Sequence, residues 1–213
     1  MWYSRHMKND VFNTQEALTH FKKVDPKMAE IFTKSLQRAP ILQIPKSRGK
    51  QKYFHSIVGS IVGQQISVKA ADAVWKKFAT GVGKVTPDNI KNRTIDELRS
   101  YGVSRQKANY IITSAEVWET LPVSKFAKME NEEVIEELTK LHGIGRWTAE
   151  MFLMFTLGRA DVFSLGDWGL LTAIQHHYKL DPKKHIKKIE KLAVVWSPHR
   201  TLASLALWHY KDN

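Results

Sequence analysis

The chain has 213 residues and carries 33 Lys and Arg against 21 Asp and Glu, a formal charge of +12. Such an excess favours a polyanionic partner, because cationic side chains that neutralise phosphates release condensed counterions. The absence of cysteine excludes a disulfide framework, cysteine-ligated zinc, a cysteine-ligated iron–sulfur cluster and a cysteine nucleophile.

Helix signals recur along the chain without strand alternation. Asn13 with Glu16 reads as a capping pair before EALTHFKKV. Asp25-Pro26 opens a second helix, with proline at its first position. After Pro45, Lys46 to Lys52 (KSRGKQK) reads as an exposed basic loop, and helical pattern resumes in YFHSIVGSIVGQQ. Ser67 caps SVKAADAVWKKFATG, which Gly81 ends. Thr94 and Glu97 form a capping box, and Gly102 closes that short helix. Ser104 opens SRQKANYIITSAEVWETL, and Asn131 opens NEEVIEELTKL. The segment from Gly145 to Leu157 is apolar on most faces, which predicts a buried helix. Asp167, Asp181-Pro182 and Pro198 open the last three. About eleven or twelve short helices joined by short loops predict an all-α fold.

No apolar run approaches the ~20 residues that span a bilayer. The first ten residues, MWYSRHMKND, lack the apolar core of a secretion signal. The expectation is an intracellular protein without a membrane partner, in the cytoplasm or nucleoid of a bacterium or the nucleus of a eukaryote.

One segment concentrates the chemistry. Between two helical patterns stands His142-Gly143-Ile144-Gly145, and one helix later stands a lone acid, Asp167. Two glycines so spaced can take angles closed to other residues and bend the chain sharply. The N–H groups at the start of the next helix can then bind a phosphate, with Lys140 and Arg146 adding charge. Each feature also has an ordinary explanation. Glycine serves many tight turns, and aspartate is a preferred N-cap. Four of the seven tryptophans fall late in the chain, at 147, 168, 196 and 208. Such rings can stack on a flipped base or simply fill a core.

Taken together, these residues resemble the helix–hairpin–helix DNA glycosylase superfamily, most closely its DNA-3-methyladenine glycosylase II branch. Three further segments carry the likeness: Ile57–Ala71 (IVGSIVGQQISVKAA), Leu98–Ile111 with its Gly-x-Ser-x-x-Lys junction, and Trp196–Tyr210 (WSPHRTLASLALWHY). It extends from about Phe54 to the end, without the N-terminal β lobe of the longer bacterial members.

The resemblance implies an all-α fold of two helical lobes with a cleft between them, within one compact unit. Lobe one would run over about 45–157 as a six-helix bundle ending in the hairpin, and lobe two over 1–44 plus 158–213. Asp167 falls on the catalytic aspartate. Trp147 falls where strand-cleaving members carry a Schiff-base lysine, which implies base removal without lyase activity. Trp147, Trp168, Trp208 and Met151 fall around the base pocket. Gly143, Ile144, Gly145, Arg146 and Lys140 fall at the DNA backbone. Gln64, Gln65 and Ile66 fall in the loop that fills the gap left by a flipped base, the filler itself being open between Gln65 and Ile66. The carbonyls of Thr139, Leu141 and Ile144 would hold a monovalent cation, Na+ or K+, and catalysis would need no cofactor. The expected partner is double-stranded DNA with damaged bases, bound by a monomer. A glycosylase for deaminated purine or uracil, a non-catalytic hairpin module and a basic RNA-binding protein are the competing readings.

Overall fold

Short polar residues start these helices by accepting hydrogen bonds from first-turn N–H groups that have no partner inside the helix. The computed structural model describes residues 14–38 and 47–211. The proposed Asn13 cap, Pro45 and Lys46 lie outside them. The helices are α1 (Thr14–Val24), α2 (Pro26–Arg38), α3 (Tyr53–Gly63), α4 (Val68–Val82), α5 (Pro87–Lys91), α6 (Ile95–Ser100), α7 (Arg105–Val117), α8 (Asn131–Thr139), α9 (Arg146–Phe155), α10 (Trp168–Tyr178), α11 (Pro182–Val195) and α12 (Arg200–Lys211). Two 3-10 turns, Lys50–Lys52 and Trp118–Thr120, complete them, and no strand occurs among the described residues.

Ser67, Thr94, Ser104, Asp167 and Asp181 each cap the helix they precede through the side chain. Three boundaries differ from the sequence reading. Helix α4 passes Gly81 and ends at Gly83, whose φ of 77° takes the left-handed position. Gly81 is glycine because a Cβ there would overlap the Tyr101 ring. Helix α8 is capped by Glu130, which forms a reciprocal box with Glu133. Pro198 lies in a turn closed by His199 N–H on the Trp196 carbonyl at 2.8 Å, so α12 starts at Arg200. Helix α5 is an addition. Thr86 caps it and Pro87 stands in its first turn.

The described residues fall into two compact units, Ser47–Leu157 and 14–38 with 158–211. The first holds α3 to α9, seven helices where the sequence suggests six. Its centre is α9, buried from Thr148 to Phe155. Tyr53 and Phe126 pack on Phe152 with ring centroids 5.4 and 6.2 Å away. Helix α9 lies against α3 and α8, and α7 lies against α3, α5 and α6.

In the second unit α12 packs on α2 and α10. Asp25 is its polar centre. One carboxylate oxygen accepts Met28 N–H at 3.0 Å, and the other accepts the Tyr178 hydroxyl and the Trp196 indole N–H, each at 2.8 Å. Burial, then the Asp25 charge beside it, push the Tyr178 phenol well above its ordinary range. A second carboxylate, Asp161, takes the Arg200 guanidinium at 2.7 and 3.0 Å and the Ser197 hydroxyl at 2.7 Å. Burial alone would raise the Asp161 carboxyl, but these donors outweigh it and hold it below its usual range.

Candidate active site

The hairpin runs from the end of α8 to the start of α9. Leu141 N–H bonds the Leu138 carbonyl at 3.1 Å, and Ile144 N–H bonds the Leu141 carbonyl at 3.0 Å. Gly143 has φ 84°, and a Cβ on it would overlap the Tyr110 ring. Backbone angle and contact both demand glycine there. Gly145 differs from the expectation: its φ of −90° is open to any residue. A Cβ on it would meet nothing within 4 Å, so its absence leaves free space over the backbone. No side chain caps the α9 N-terminus. N–H groups at the start of a helix can bind an anion that approaches closely.

The two flanking cations meet carboxylates. Lys140 pairs with Glu137 at 2.6 Å. Arg146 holds Glu132 through two bonds of 2.6 and 2.8 Å and Glu150 at 3.0 Å. The Arg146 guanidinium beside Glu132 keeps that carboxyl below its usual range. Arg146 thereby ties α8 to α9 across the hairpin. The Ile144 side chain is buried, so its part in any outside contact belongs to its backbone.

Gln64, Gln65, Ile66, Gly143, Gly145, Trp147 and Met151 line one cavity of about 650 Å³ in the first unit. Trp147 is 41% exposed on it, whereas Met151 is buried in its wall. The Gln64 amide donates to the Gly143 carbonyl at 2.9 Å. Gln65 and Ile66 are exposed, and Gln65 holds a φ of 57°, in the left-handed region. Four of the lining residues, Ser104, Gln106, Lys107 and Tyr110, come from Ser104 and the first turns of α7, and the sequence reading gave them no part in the site. The signal was the Gly-x-Ser-x-x-Lys junction, whose Lys107 puts a cation in a first turn, where the helix dipole disfavours it.

Asp167 caps α10 in the second unit and is 5% exposed. Its Oδ1 accepts Leu170 N–H at 2.7 Å and the Trp208 indole N–H at 3.0 Å. The cap and the indole together orient one carboxylate oxygen. Trp208 is 7% exposed, so it presents an edge to the carboxylate and little face to solvent. Trp168, adjacent to Asp167 and 61% exposed, presents an open aromatic surface. The sequence reading also missed Gly169. A Cβ there would lie 2.9 Å from Asp167 Oδ1 and 3.3 Å from the Trp208 indole nitrogen.

A helix–hairpin–helix turn without a side-chain cap, followed one helix later by a buried capping aspartate, defines a class: the helix–hairpin–helix DNA glycosylases. The chain belongs to the HhH-GPD superfamily of base excision DNA repair proteins, whose family model matches residues 58–198. It is 32% identical to DNA-3-methyladenine glycosylase 1 of Schizosaccharomyces pombe over 76% of this chain and 74% of that protein. The fold is similar to the crystal structure of a DNA-3-methyladenine glycosidase from Bacillus halodurans. That match has TM-score 0.77 and 33% identity and covers 95% and 90% of the two chains. It is also similar to a Schizosaccharomyces pombe 3-methyladenine DNA glycosylase in complex with abasic DNA. There the TM-score is 0.75 and identity 25%, over 93% and 97% of the chains.

Proposed function

We propose that the chain is a monofunctional DNA glycosylase that flips alkylated purines of the 3-methyladenine and 7-methylguanine type out of duplex DNA and hydrolyses their N-glycosidic bond. The observation that carries this reading is Asp167. It is a buried carboxylate, held by Leu170 N–H and the Trp208 indole beside the exposed face of Trp168, in a chain of this family.

Methylation at N3 of adenine or N7 of guanine makes the base cationic. It leaves with the bonding electron pair as a neutral molecule and needs no strong general acid. The sugar then carries oxocarbenium charge at C1′. Asp167 stabilises that charge and orients the water whose oxygen bonds to C1′, giving an abasic site. A carboxylate pre-set by two donors needs little reorganisation as the charge develops. Trp168 offers its face to the flipped base, and a cationic base gains from the ring quadrupole. Met151 and Trp147 contribute apolar wall in the first unit. Trp147 also stands where a Schiff-base lysine would be required for strand cleavage, so the reaction ends at the abasic site.

Gly143 and Gly145 hold a DNA phosphate through backbone N–H groups, and Ile144, whose own N–H is taken by the Leu141 carbonyl, sets the turn between them. Lys140 and Arg146 add charge only as their carboxylate partners release them. A monovalent cation, Na+ or K+, would be held by the carbonyls of Thr139, Leu141 and Ile144. The donor set fits, since these are neutral oxygens and the Leu141 carbonyl keeps a lone pair beyond its bond to Ile144 N–H. When bound, the ion would supply positive charge beside the phosphate. The protein acts as a monomer on damaged duplex DNA.

Asp167→Asn tests the assignment. Single-turnover release of 7-methylguanine from methylated duplex should fall by roughly 100-fold or more, while affinity for abasic-site DNA stays within about twofold. Unchanged release would remove Asp167 from the chemistry.

A further inference from the structure

Lys107 lies at the third position of α7, where its own N–H is already capped by Ser104. Its ammonium crosses to α3 and donates to the carbonyls of Val62 and Gln64, both at 2.8 Å. Those carbonyls lie at the C-terminal end of α3, where backbone acceptors lack helical partners and the dipole is negative. Burial pushes the Lys107 amine below its ordinary range, so the contact is made at a cost in desolvation. A lysine placed with its charge against its own helix dipole and partly out of water is explained by what it holds.

It holds the chain that turns from α3 into α4. Beyond Gln64 the backbone enters the left-handed region at Gln65, which a residue with a Cβ disfavours. Fixing the Val62 and Gln64 carbonyls fixes the platform from which Gln65 and Ile66 project. The Gln64 side chain carries the same restraint to the hairpin through its bond to the Gly143 carbonyl. Tyr110, one turn along α7 from Lys107, closes the set. It packs against Gly143, and its ring meets that of His142 at 4.9 Å.

We propose that Lys107 is a positioning residue for base flipping, bracing the 64–66 loop and, through Gln64, locking it in register with the phosphate-binding hairpin. Gln64 is then committed to the brace, which leaves Gln65 and Ile66, both exposed, as the side chains that can enter the vacated position in the duplex. This rests on the glycosylase reading above. A braced loop pushes into the stack without first paying to order itself, so the brace matters where the target base is paired and stacked.

The test compares single-turnover release of 7-methylguanine from two duplexes, one with the lesion paired to cytosine and one with it opposite an abasic-site analogue. The second needs little help to flip. Lys107→Met, which keeps the apolar stem and removes the donors, should slow the paired substrate by about tenfold or more and the unpaired one by less than about twofold. Lys107→Arg should restore most of the difference, since a guanidinium can span two carbonyls. Fluorescence of a 2-aminopurine beside the lesion should show the same loss of flipping without relying on bond cleavage. Equal slowing on both duplexes, or none, overturns the brace. If Lys107→Met does not fold, Gln64→Ala replaces it with the same selective loss expected. A wild-type protein that releases no methylated base from either duplex would instead sink the glycosylase reading.

Discussion

At the scale of single residues, two glycines are dictated by neighbours far away in sequence. Gly169 leaves just enough room for the Asp167–Trp208 bond. Gly169→Ala would push a methyl against an oxygen fixed by two donors, so the carboxylate must turn. Single-turnover excision should drop by about tenfold, with the thermal midpoint lowered by only a few degrees. A parallel collapse of folding would make Gly169 a packing position instead. Gly143→Ala acts on the hairpin, where the left-handed angle and the Tyr110 ring oppose the added carbon. It should weaken binding to abasic-site DNA while leaving the Asp167 environment intact. Neither constraint was legible in the sequence in full. The spacing of Gly143 showed that a turn was needed, but the partner rings at positions 110 and 208 are known only once the chain is folded.

At the scale of helices, cap chemistry was the readable part. Ser67, Thr94, Ser104, Asp167 and Asp181 start helices because their oxygens accept local N–H groups, an interaction contained within three residues. The errors arose where a long-range contact competes with a local rule. Gly81 resembles a helix stop but is small to admit Tyr101, and Pro198 resembles a helix start but serves a turn closed by His199. Helix α5 has a cap and a proline in the sequence, but five residues are too few to show a helical apolar period. Asp25 shows what a cap gains when tertiary donors join it. Asp25→Ala would leave Met28 N–H, the Tyr178 hydroxyl and the Trp196 indole N–H without this acceptor. Stability to urea should fall by roughly 3 kcal/mol. A loss below about 1 kcal/mol would mean that water replaces the carboxylate. Both Asp25 and Asp167 cap a helix and take an indole N–H. As helix starts the two read alike in the sequence; the hairpin one helix before Asp167, and the exposed Trp168 beside it, are what separate them.

At the scale of the whole molecule, charge and protonation set the working conditions. His177 is pushed down to about 4 from an ordinary 6.5, first by burial and then by the positive charges of His176, Lys27 and Lys179. The native state therefore binds fewer protons than the unfolded chain between those values. The contribution of this histidine is present above about pH 6.5 and is lost as pH falls toward 4. Urea midpoints should decline through that window, and His177→Gln should flatten the decline. An unchanged slope would assign the loss to other groups. With a net charge of +12, binding to DNA is expected to weaken steeply as salt rises, in proportion to the phosphates neutralised. Raising salt from about 50 to about 200 mM should cost at least ~100-fold in affinity if four phosphates are neutralised. The hairpin behaves differently. Arg146 and Lys140 are matched by Glu132, Glu150 and Glu137, so the proposed phosphate contact of the turn rests on its backbone. Gly143→Ala should then lower affinity by the same factor at every salt concentration. Two kinds of grip follow, with separate consequences for how the protein travels. Scattered lysines give a loose hold that slides with the ionic atmosphere and sets how far each visit to DNA extends. Under the proposed function the turn, gripping through its backbone, would act as a brake that stops the slide long enough for a base to be tried, and changes in cellular salt would alter the length of the patrol more than the stop.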